Sequence, residues 1–447
     1  MKAQEKVIEK IADPARNTCR LCAPLGASTV FRGIENCIPL LHGSQGCSTY
    51  ICRYMISHFR EPVDIASSNF SESAAVFGGR ENLHTALDNV IGKYQPSLVG
   101  IATTCLSETI GDDVSLYIKE YNEKSKSDVP VVNVPTPSYK GIHTDGYRDA
   151  VISCIKTVSK ENETGDFINI IPSFVSPEDL RHLKEIASDF KTDAVLFPDY
   201  SETLDGESWE SYKKISPGGT LLRDIARIKS AKASIVIGNS LSRSGLSGSL
   251  SEHLRNAHFM NLPIGIDLCD EFFGAFEKAT GKLLPEKYSS ERNRLVDSYM
   301  DAHKYFFEKR AIIAGDEDLV VSLASFMSEI GIVPVICATG SDNPEAVKLI
   351  KKYAPDADVM ADSDYATVLD KARSMNCDLV IGSSKGFYLS KNLSIPLVRV
   401  GFPVHDRFGS QRIKHLGYRG TQSILDNIAN AIIEHKQNSS NIGYSYL

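Results

Sequence analysis

Cys47 is the residue of this chain whose surroundings best suit chemistry. It follows an apolar run at residues 37–41 and a turn with glycines at positions 43 and 46, and it opens a segment with helical spacing. Glycines at this spacing predict a backbone that passes close to something bulky. An isolated cysteine after a tight turn is usually a packing residue. Because the positive end of a helix stabilises a thiolate, Cys47 also suits metal or redox work.

A second candidate thiol lies near the N-terminus. Cys19 and Cys22 form a C-x-x-C pair that is followed by a proline and a glycine. One such pair without a second is a weak zinc signal, because a structural zinc site needs four ligands. We expect Cys22 to be the functional thiol and Cys19 to be an unused one.

Two further side chains stand where predicted strands end. Cys105 comes shortly after the apolar run at residues 98–102, and Ser138 follows the strand predicted at residues 129–134. Open α/β sheets carry their ligand sites outside the carboxyl ends of the strands. We therefore expect Cys105 and Ser138 to converge with the two candidate thiols on one edge of one domain.

The compartment follows from the absence of targeting signals. The N-terminal segment lacks the apolar core of a secretory signal, and no apolar run approaches the ~18 residues of a membrane helix. We expect a cytoplasmic protein, where ten cysteines do not form a disulfide framework. Six of them lie in apolar segments and are expected to be packing residues: Cys37, Cys52, Cys154, Cys269, Cys337 and Cys377.

Length and composition limit the classes of function. A chain of 447 residues is too long for one core and predicts about three domains. The net charge of −7, without a run of Lys and Arg, argues against a nucleic-acid surface. No Walker A sequence occurs, so the chain is not expected to hydrolyse ATP.

Apolar runs typical of buried parallel strands recur along the chain, with helical segments between them. They lie at residues 37–41, 98–102, 129–134, 167–171, 194–197, 234–237, 310–316, 333–336 and 379–382. This alternation predicts an α/β fold of three Rossmann-like domains, with parallel sheets flanked by helices. We expect an N-terminal domain at 1–160 that carries the site, a middle domain at 161–308 and a C-terminal domain at 309–447. Residues 1–18 are expected to form a helical leader.

Other polar side chains near the candidate site have structural interpretations. His42, just before the glycine turn, is expected to hydrogen-bond a backbone carbonyl rather than to bind metal. Carboxylates suit the positive end of a helix, and three are expected to begin the helix after Cys105: Glu108, Asp112 and Asp113.

Eight short stretches occur in an order that points to one family. They are residues 22–27, 42–47, 103–113, 136–138, 294–303, 315–316, 401–407 and 417–418. Together they resemble the nitrogenase component 1 family, and specifically its β-type half. The resemblance covers nearly the whole chain.

The resemblance implies an iron–sulfur site. The cluster-ligand positions of the family match Cys22, Cys47 and Cys105, and the serine beside the cluster matches Ser138. Thiolates fit the ligand preference of iron, and rigid turns keep the reorganisation on electron transfer small.

Three neighbours of the ligands are expected to support a cluster. Gly46 and Gly26 are small enough to let backbone N–H groups approach its sulfides. Tyr50 follows Cys47 by one helical turn and either covers the cluster from solvent or packs within the helix; both roles stay open.

Two members of the family fit. A NifN-type subunit is part of a scaffold on which the iron–molybdenum cofactor precursor matures, with a [4Fe-4S] cluster at the interface for which Cys47 is the matching ligand. A nitrogenase β subunit holds half of a P-cluster that relays electrons. Compact length and the residues at 22–27 and 405–409 favour the NifN type. Retention of three cysteines and Ser138 favours the β subunit.

The resemblance also implies partners. They are a NifE-like α-type subunit in an α2β2 heterotetramer, which would hold the cofactor precursor, and an ATP-hydrolysing iron-protein reductase that docks transiently. No nucleic acid or membrane is expected. The chain is expected to be an assembly scaffold or, in the alternative, part of a nitrogenase-type oxidoreductase.

Overall fold

A computed structural model describes residues 20–125, 127–161 and 163–440 of the chain. The leader helix expected at residues 1–18, and Cys19, lie outside the described residues. The strands of the described part form three sheets, and every strand pairing in them is parallel. The predicted α/β fold with parallel sheets flanked by helices is confirmed.

The first sheet carries the cysteine-rich part of the chain. Its strands are β1 (Cys37–His42), β2 (Ala66–Ser67), β3 (Leu98–Thr103) and β4 (Val131–Val134). Its helices are α1 (Ala23–Arg32), α2 (Gln45–Phe59), α3 (Glu72–Phe77), α4 (Arg80–Tyr94), α5 (Cys105–Ile110), α6 (Val114–Lys124) and α7 (His143–Val158). The strand order β2-β1-β3-β4 reverses direction between β1 and β3. The crevice beyond the ends of these two strands is therefore the place where such a sheet binds ligands.

The second sheet continues the alternation of strands and helices along the chain. Its strands are β5 (Gly165–Pro172), β6 (Ala194–Leu196), β7 (Ala231–Ile237) and β8 (Ala257–Met260), in the order β6-β5-β7-β8. Its helices are α8 (Pro177–Asp189), α9 (Leu222–Ala226), α10 (Ile266–Thr280) and α11 (Glu286–Phe306). Ser176 is the N-cap of helix α8 and forms a capping box with Asp179. This signal fixes the N-terminus of the helix.

The third sheet has five strands. They are β9 (Arg310–Gly315), β10 (Val333–Thr339), β11 (Asp358–Met360), β12 (Leu379–Gly382) and β13 (Leu397–Arg399), in the order β11-β10-β9-β12-β13. The helices are α12 (Glu317–Glu329), α13 (Pro344–Tyr353), α14 (Tyr365–Ala372), α15 (Phe387–Leu393) and α16 (Gly417–Ser439). Each sheet falls within one predicted domain range, and the domain limits themselves stay a prediction.

Four strands were not expected from the sequence, and all four lie at sheet edges. They are β2, β8, β11 and β13, and each has at most one buried residue. Continuous apolar runs arise where both faces of a strand are covered. These four strands contain no such run, so the sequence carries no local signal for them.

Helices α1 and α7 touch backbone to backbone. A Cβ atom at Gly26 would lie 1.8 Å from the carbonyl oxygen of His143, and one at Gly146 would lie 1.9 Å from that of Ala23. Neither position has room for a side chain. Helix packing by itself therefore requires glycine at position 26, and its predicted role of admitting N–H groups to a cluster stays a prediction.

Gly26→Ala should destabilise the protein, because the two backbones must move apart to admit one methyl group. We expect a loss of roughly 1–3 kcal/mol, seen as a lower midpoint of thermal unfolding by circular dichroism. Gly92→Ala is the control, since a Cβ atom on that residue of α4 meets nothing within 4 Å. It should be neutral or stabilising by up to ~1 kcal/mol. Equal losses in both variants would contradict this account of the helix contact.

Candidate metal centre

The predicted site residues leave different elements of the first sheet and meet at its carboxyl edge. Cys47 is the third residue of α2, Cys105 is the first residue of α5, and Ser138 lies in the loop between β4 and α7. Cys22 precedes α1 and forms a short antiparallel bridge with Ile142. The fold thus carries Cys22 to the same edge by pairing with the segment that follows Ser138.

Ser138 connects two of the cysteine segments. Its Oγ accepts a hydrogen bond of 3.1 Å from the backbone N–H of Ala23. Its own N–H donates to the Sγ of Cys105 over 3.3 Å. The serine therefore joins the residue after Cys22 to the sulfur of Cys105.

The electrostatics of Cys22 place the other two thiols nearby. Burial raises the pKa of the Cys22 thiol, a hydrogen bond with Ser138 opposes this, and the negative charges of Cys105 and Cys47 raise the pKa further. Three thiolates at this edge would repel one another. A bound metal removes that cost, because it keeps coordinating thiols deprotonated.

The thiols are accessible but do not form a site for one ion. Cys22 and Cys47 are half-buried and Cys105 is exposed. Throughout the described part of the chain, no three His, Cys, Asp or Glu side chains are arranged to hold a single metal ion.

The two glycines of the turn before Cys47 have different surroundings. A Cβ atom at Gly43 would lie 2.1 Å from the Oγ1 of Thr104, so the bulky neighbour predicted for this turn is a threonine of the same chain. A Cβ atom at Gly46 would meet only the Ser44 hydroxyl at 3.8 Å. Within the described chain, nothing requires glycine at position 46, and its binding role stays a prediction.

Tyr50 lies beside the site and is partly open to solvent. Its side chain is 42 % exposed, and its ring centroid is 4.7 Å from that of Tyr54. Burial, a hydrogen bond to Tyr54 and the charge of Cys22 all raise the pKa of Tyr50. The ring is thus a neutral group near Cys22, in contact with its own helix and still partly in solvent.

His42 forms a buried network with side chains, which differs from the predicted bond to a backbone carbonyl. Its Nδ1 lies 3.1 Å from the Oγ of Ser68, and its Nε2 lies 3.0 Å from the Oδ2 of Asp112. The backbone N–H of Gly79 also donates to Asp112. Burial lowers the pKa of His42, although Asp112 opposes the shift. The network joins the end of β1 to the residues that follow α5.

The three acidic residues after Cys105 have three different roles. Glu108 lies in the first turn of α5, as predicted, and accepts a bond of 2.6 Å from the hydroxyl of Thr103. Asp112 comes after α5 and pairs with His42. Asp113 caps the next helix, α6, by accepting from the N–H of Leu116. The prediction that all three begin one helix is wrong, because α5 ends at Ile110.

His58 anchors the helix that carries Cys47, and no local sequence pattern predicted this role. It is fully enclosed near the end of α2, and its Nδ1 accepts a bond of 2.9 Å from the N–H of Val404 in the third sheet's region. Burial lowers the pKa of His58 to about 3. Such a contact between residues 346 positions apart leaves no local pattern.

The six other cysteines of the described residues are free thiols. Packing is confirmed for four that are fully buried: Cys37, Cys154, Cys269 and Cys337. Cys52 and Cys377 are half-buried, and the Sγ of Cys52 contacts the carbonyl of Val63. No described helix is both long and apolar enough to cross a membrane.

The chain is an α/β protein with three parallel sheets. Its thiol-rich site lies at the strand ends of the first sheet. The sequence pattern of the family described as nitrogenase component 1 type oxidoreductase matches residues 22–433. The chain belongs to this family, and its relatives identify it as a β-type member.

Two relatives show how completely the chain is covered. The nitrogenase molybdenum-iron protein beta chain of Clostridium pasteurianum is 33% identical over 94% of this chain and 93% of its own. The nitrogenase vanadium-iron protein beta chain of Trichormus variabilis is 36% identical over 92% of both chains.

A solved structure agrees with the fold. A chain of "Nitrogenase Cp1 at pH 6.5" superimposes with a TM-score of 0.93 at 31% identity, over 99% of this chain and 98% of that one. A chain of "Nitrogenase Cp1 at pH 5" has a TM-score of 0.70 at 15% identity and shares the fold.

Acid should weaken the protein through His58. Because its folded pKa of about 3 lies below the ordinary value near 6.5, the unfolded chain binds the proton more readily between these limits. Stability is therefore lost as the pH falls through this window, by up to ~1.4 kcal/mol per pH unit. His58→Asn keeps an acceptor for Val404 and does not titrate, so its thermal midpoint should fall less steeply between pH 6 and pH 4. If the thermal midpoint falls equally steeply with pH in the variant and the wild type, the role assigned to His58 is contradicted.

Proposed function

We propose that this chain is the β-type half of a nitrogenase-like complex and holds an iron–sulfur cluster at its interface with an α-type partner. The carrying observation is that Cys22, Cys47, Cys105 and Ser138 meet at one edge of the first sheet. When bound, such a cluster accepts electrons and passes them on.

The donor set fits a cluster of several irons. Thiolates are the ligands that iron–sulfur groups prefer. The negative charges of Cys105 and Cys47 disfavour a thiolate at Cys22, and the positive charge of bound iron would offset this repulsion. Since Cys105 is exposed, a partner chain can complete the set.

The residues around the thiols hold them without adding charge. Ser138 orients Cys105 through its N–H and fixes the start of α1 through its hydroxyl. Tyr50 remains neutral and shields the Cys22 side from part of the solvent. Gly46 leaves open space beside Cys47, which suits close approach of a cluster or of the partner.

Electron relay is the role that these features favour. A scaffold cluster needs only one cysteine from this chain, whereas a relay of the P-cluster type uses three, together with the serine. The molybdenum-iron and vanadium-iron beta chains match over 92% or more of their length, so compact length does not separate a scaffold subunit from a nitrogenase β subunit.

A NifEN-type scaffold is the second candidate. It is favoured by the residues at 22–27 and 405–409, which resemble the NifN type. In both cases we propose an α2β2 assembly with an α-type partner, a NifE-like one for the scaffold. An ATP-hydrolysing iron protein would dock transiently and supply electrons.

Removing a ligand should remove iron. We expect Cys47→Ala to lower the iron content of the anaerobically purified complex, measured by colorimetric assay against protein concentration. Cys52→Ala is the matched control, because Cys52 lies on the same helix and its Sγ donates to the backbone carbonyl of Val63. A Cys47→Ala complex with the iron content of the control would refute the proposed site.

Ser138→Ala separates relay from scaffold. For a relay cluster we expect a P-cluster-like electron paramagnetic resonance signal after oxidation that changes in the variant, because the serine lies beside Cys105. For a scaffold we expect a simple S = 1/2 signal on reduction that the variant leaves unchanged. The spectra are recorded on the complex with its natural partner. A signal of the second kind would overturn the relay assignment.

A further inference from the structure

His143 stands where the segment that carries Cys22 meets the third sheet. It is the first residue of α7, and its side chain is completely buried. Its Nε2 lies 2.9 Å from the Oδ1 of Asp316, whose side chain is 9 % exposed. Asp316 is the N-cap of α12, immediately after β9. The pair therefore brings two sheets together through a buried polar contact at ion-pair distance, although the two atoms are not aligned for a hydrogen bond.

The second sheet closes the space around this ring. Phe174, shortly after β5, meets the His143 ring edge to face at 5.9 Å between centroids. Phe402, after β13, lies 6.5 Å away. Neither ring nitrogen of His143 makes a hydrogen bond among the described residues. The position of the ring thus depends on Asp316 and on aromatic packing from two sheets.

The backbone of His143 is tied to the segment that carries Cys22. Its N–H donates to the carbonyl oxygen of Leu21 over 3.0 Å, and the preceding Ile142 pairs with Cys22 itself. Its carbonyl oxygen is the atom that leaves no room for a side chain at Gly26. A displacement of His143 must therefore displace the backbone on both sides of Cys22.

Cys47 has a hydrogen-bonded support of its own. It lies on α2, which is held to the third sheet's region by the separate bond between His58 and Val404. The two supports meet at Phe402, whose ring packs against both His58 and His143. Labelling of Cys47 therefore shows how far a change at His143 spreads beyond Cys22.

We propose that His143 is a positioning residue for the thiol site, with Asp316 as the group that holds it. Through the first turn of α7 the pair sets the place of Cys22 and Ser138 relative to Cys47. The inference deepens the proposed function, and it rests on that function only where a bound cluster is concerned.

Loss of either partner should loosen Cys22 selectively. In His143→Leu the Asp316 carboxylate stays buried without its partner, which is costly, and the first turn of α7 loses its anchor. In His143→Gln the amide NH2 group keeps a polar partner beside the Asp316 carboxylate. The conservative variant should therefore stay close to the wild type.

The first test measures alkylation of each cysteine. The full-length chain, freed of metal by a chelator under anaerobic conditions, is treated with iodoacetamide and analysed by peptide mass spectrometry. We expect His143→Leu to speed labelling of Cys22 by about tenfold, as expected for a loosened local segment. Cys47 should be unchanged, and His143→Gln should restore most of the protection. If His143→Leu does not yield folded protein, the same labelling experiment is done with Asp316→Asn.

A matched control separates positioning from general destabilisation. His182 is also a buried histidine, but it pairs with Glu185 on α8, in the second sheet's region. His182→Asn should lower the thermal midpoint without changing the labelling of Cys22. If the variants at His143 or Asp316 label Cys22 no faster than this control does, the positioning role is overturned.

The second test uses the loaded complex with its partner. His143→Leu should shift the reduction midpoint of the cluster in a potentiometric titration, and His143→Gln should return it toward the wild type. An unchanged midpoint in His143→Leu counts against the inference. A wild-type complex without iron would instead refute the proposed function, while the labelling result would still decide the role of His143.

Discussion

The backbone contact between α1 and α7 is the constraint on which the site depends. It exists because two glycines, Gly26 and Gly146, face backbone carbonyls at distances that exclude any side chain. The contact holds the segment after Cys22 against the segment after Ser138, and the serine hydroxyl then bonds to Ala23. One thiol that does not follow a strand is thereby brought to the edge where the other two emerge.

The rest of the site follows from the geometry of a parallel sheet. Strands β1 and β3 are adjacent and end together, so the residues that follow them, including Cys47 and Cys105, emerge side by side. The His42 and Asp112 pair joins the end of β1 to the segment that follows α5. A site built in this way is rigid, which suits groups that must change charge with little movement.

Buried histidine and aspartate pairs recur where the sheets meet. His143 faces Asp316 across the first and third sheets, and His415 lies 3.0 Å from Asp179 between the third and the second. Burial opposes ionisation of Asp179, yet His415 and two backbone N–H groups hold its pKa below the ordinary value. Such pairs are costly to desolvate, and breaking one leaves a polar group buried alone. They favour one arrangement of the three sheets.

The sequence by itself determined the α/β class, the central strands and the cysteines that leave them, because burial on both faces and turn chemistry are local properties of the chain. Tertiary structure alone decided four short edge strands (β2, β8, β11 and β13), the packing role of Gly26 and the partners of His42, His58 and His143. These depend on contacts between distant positions: His58 and Val404 are 346 residues apart. No local spacing of residues predicts such a contact, since it forms only when the sheets pack together.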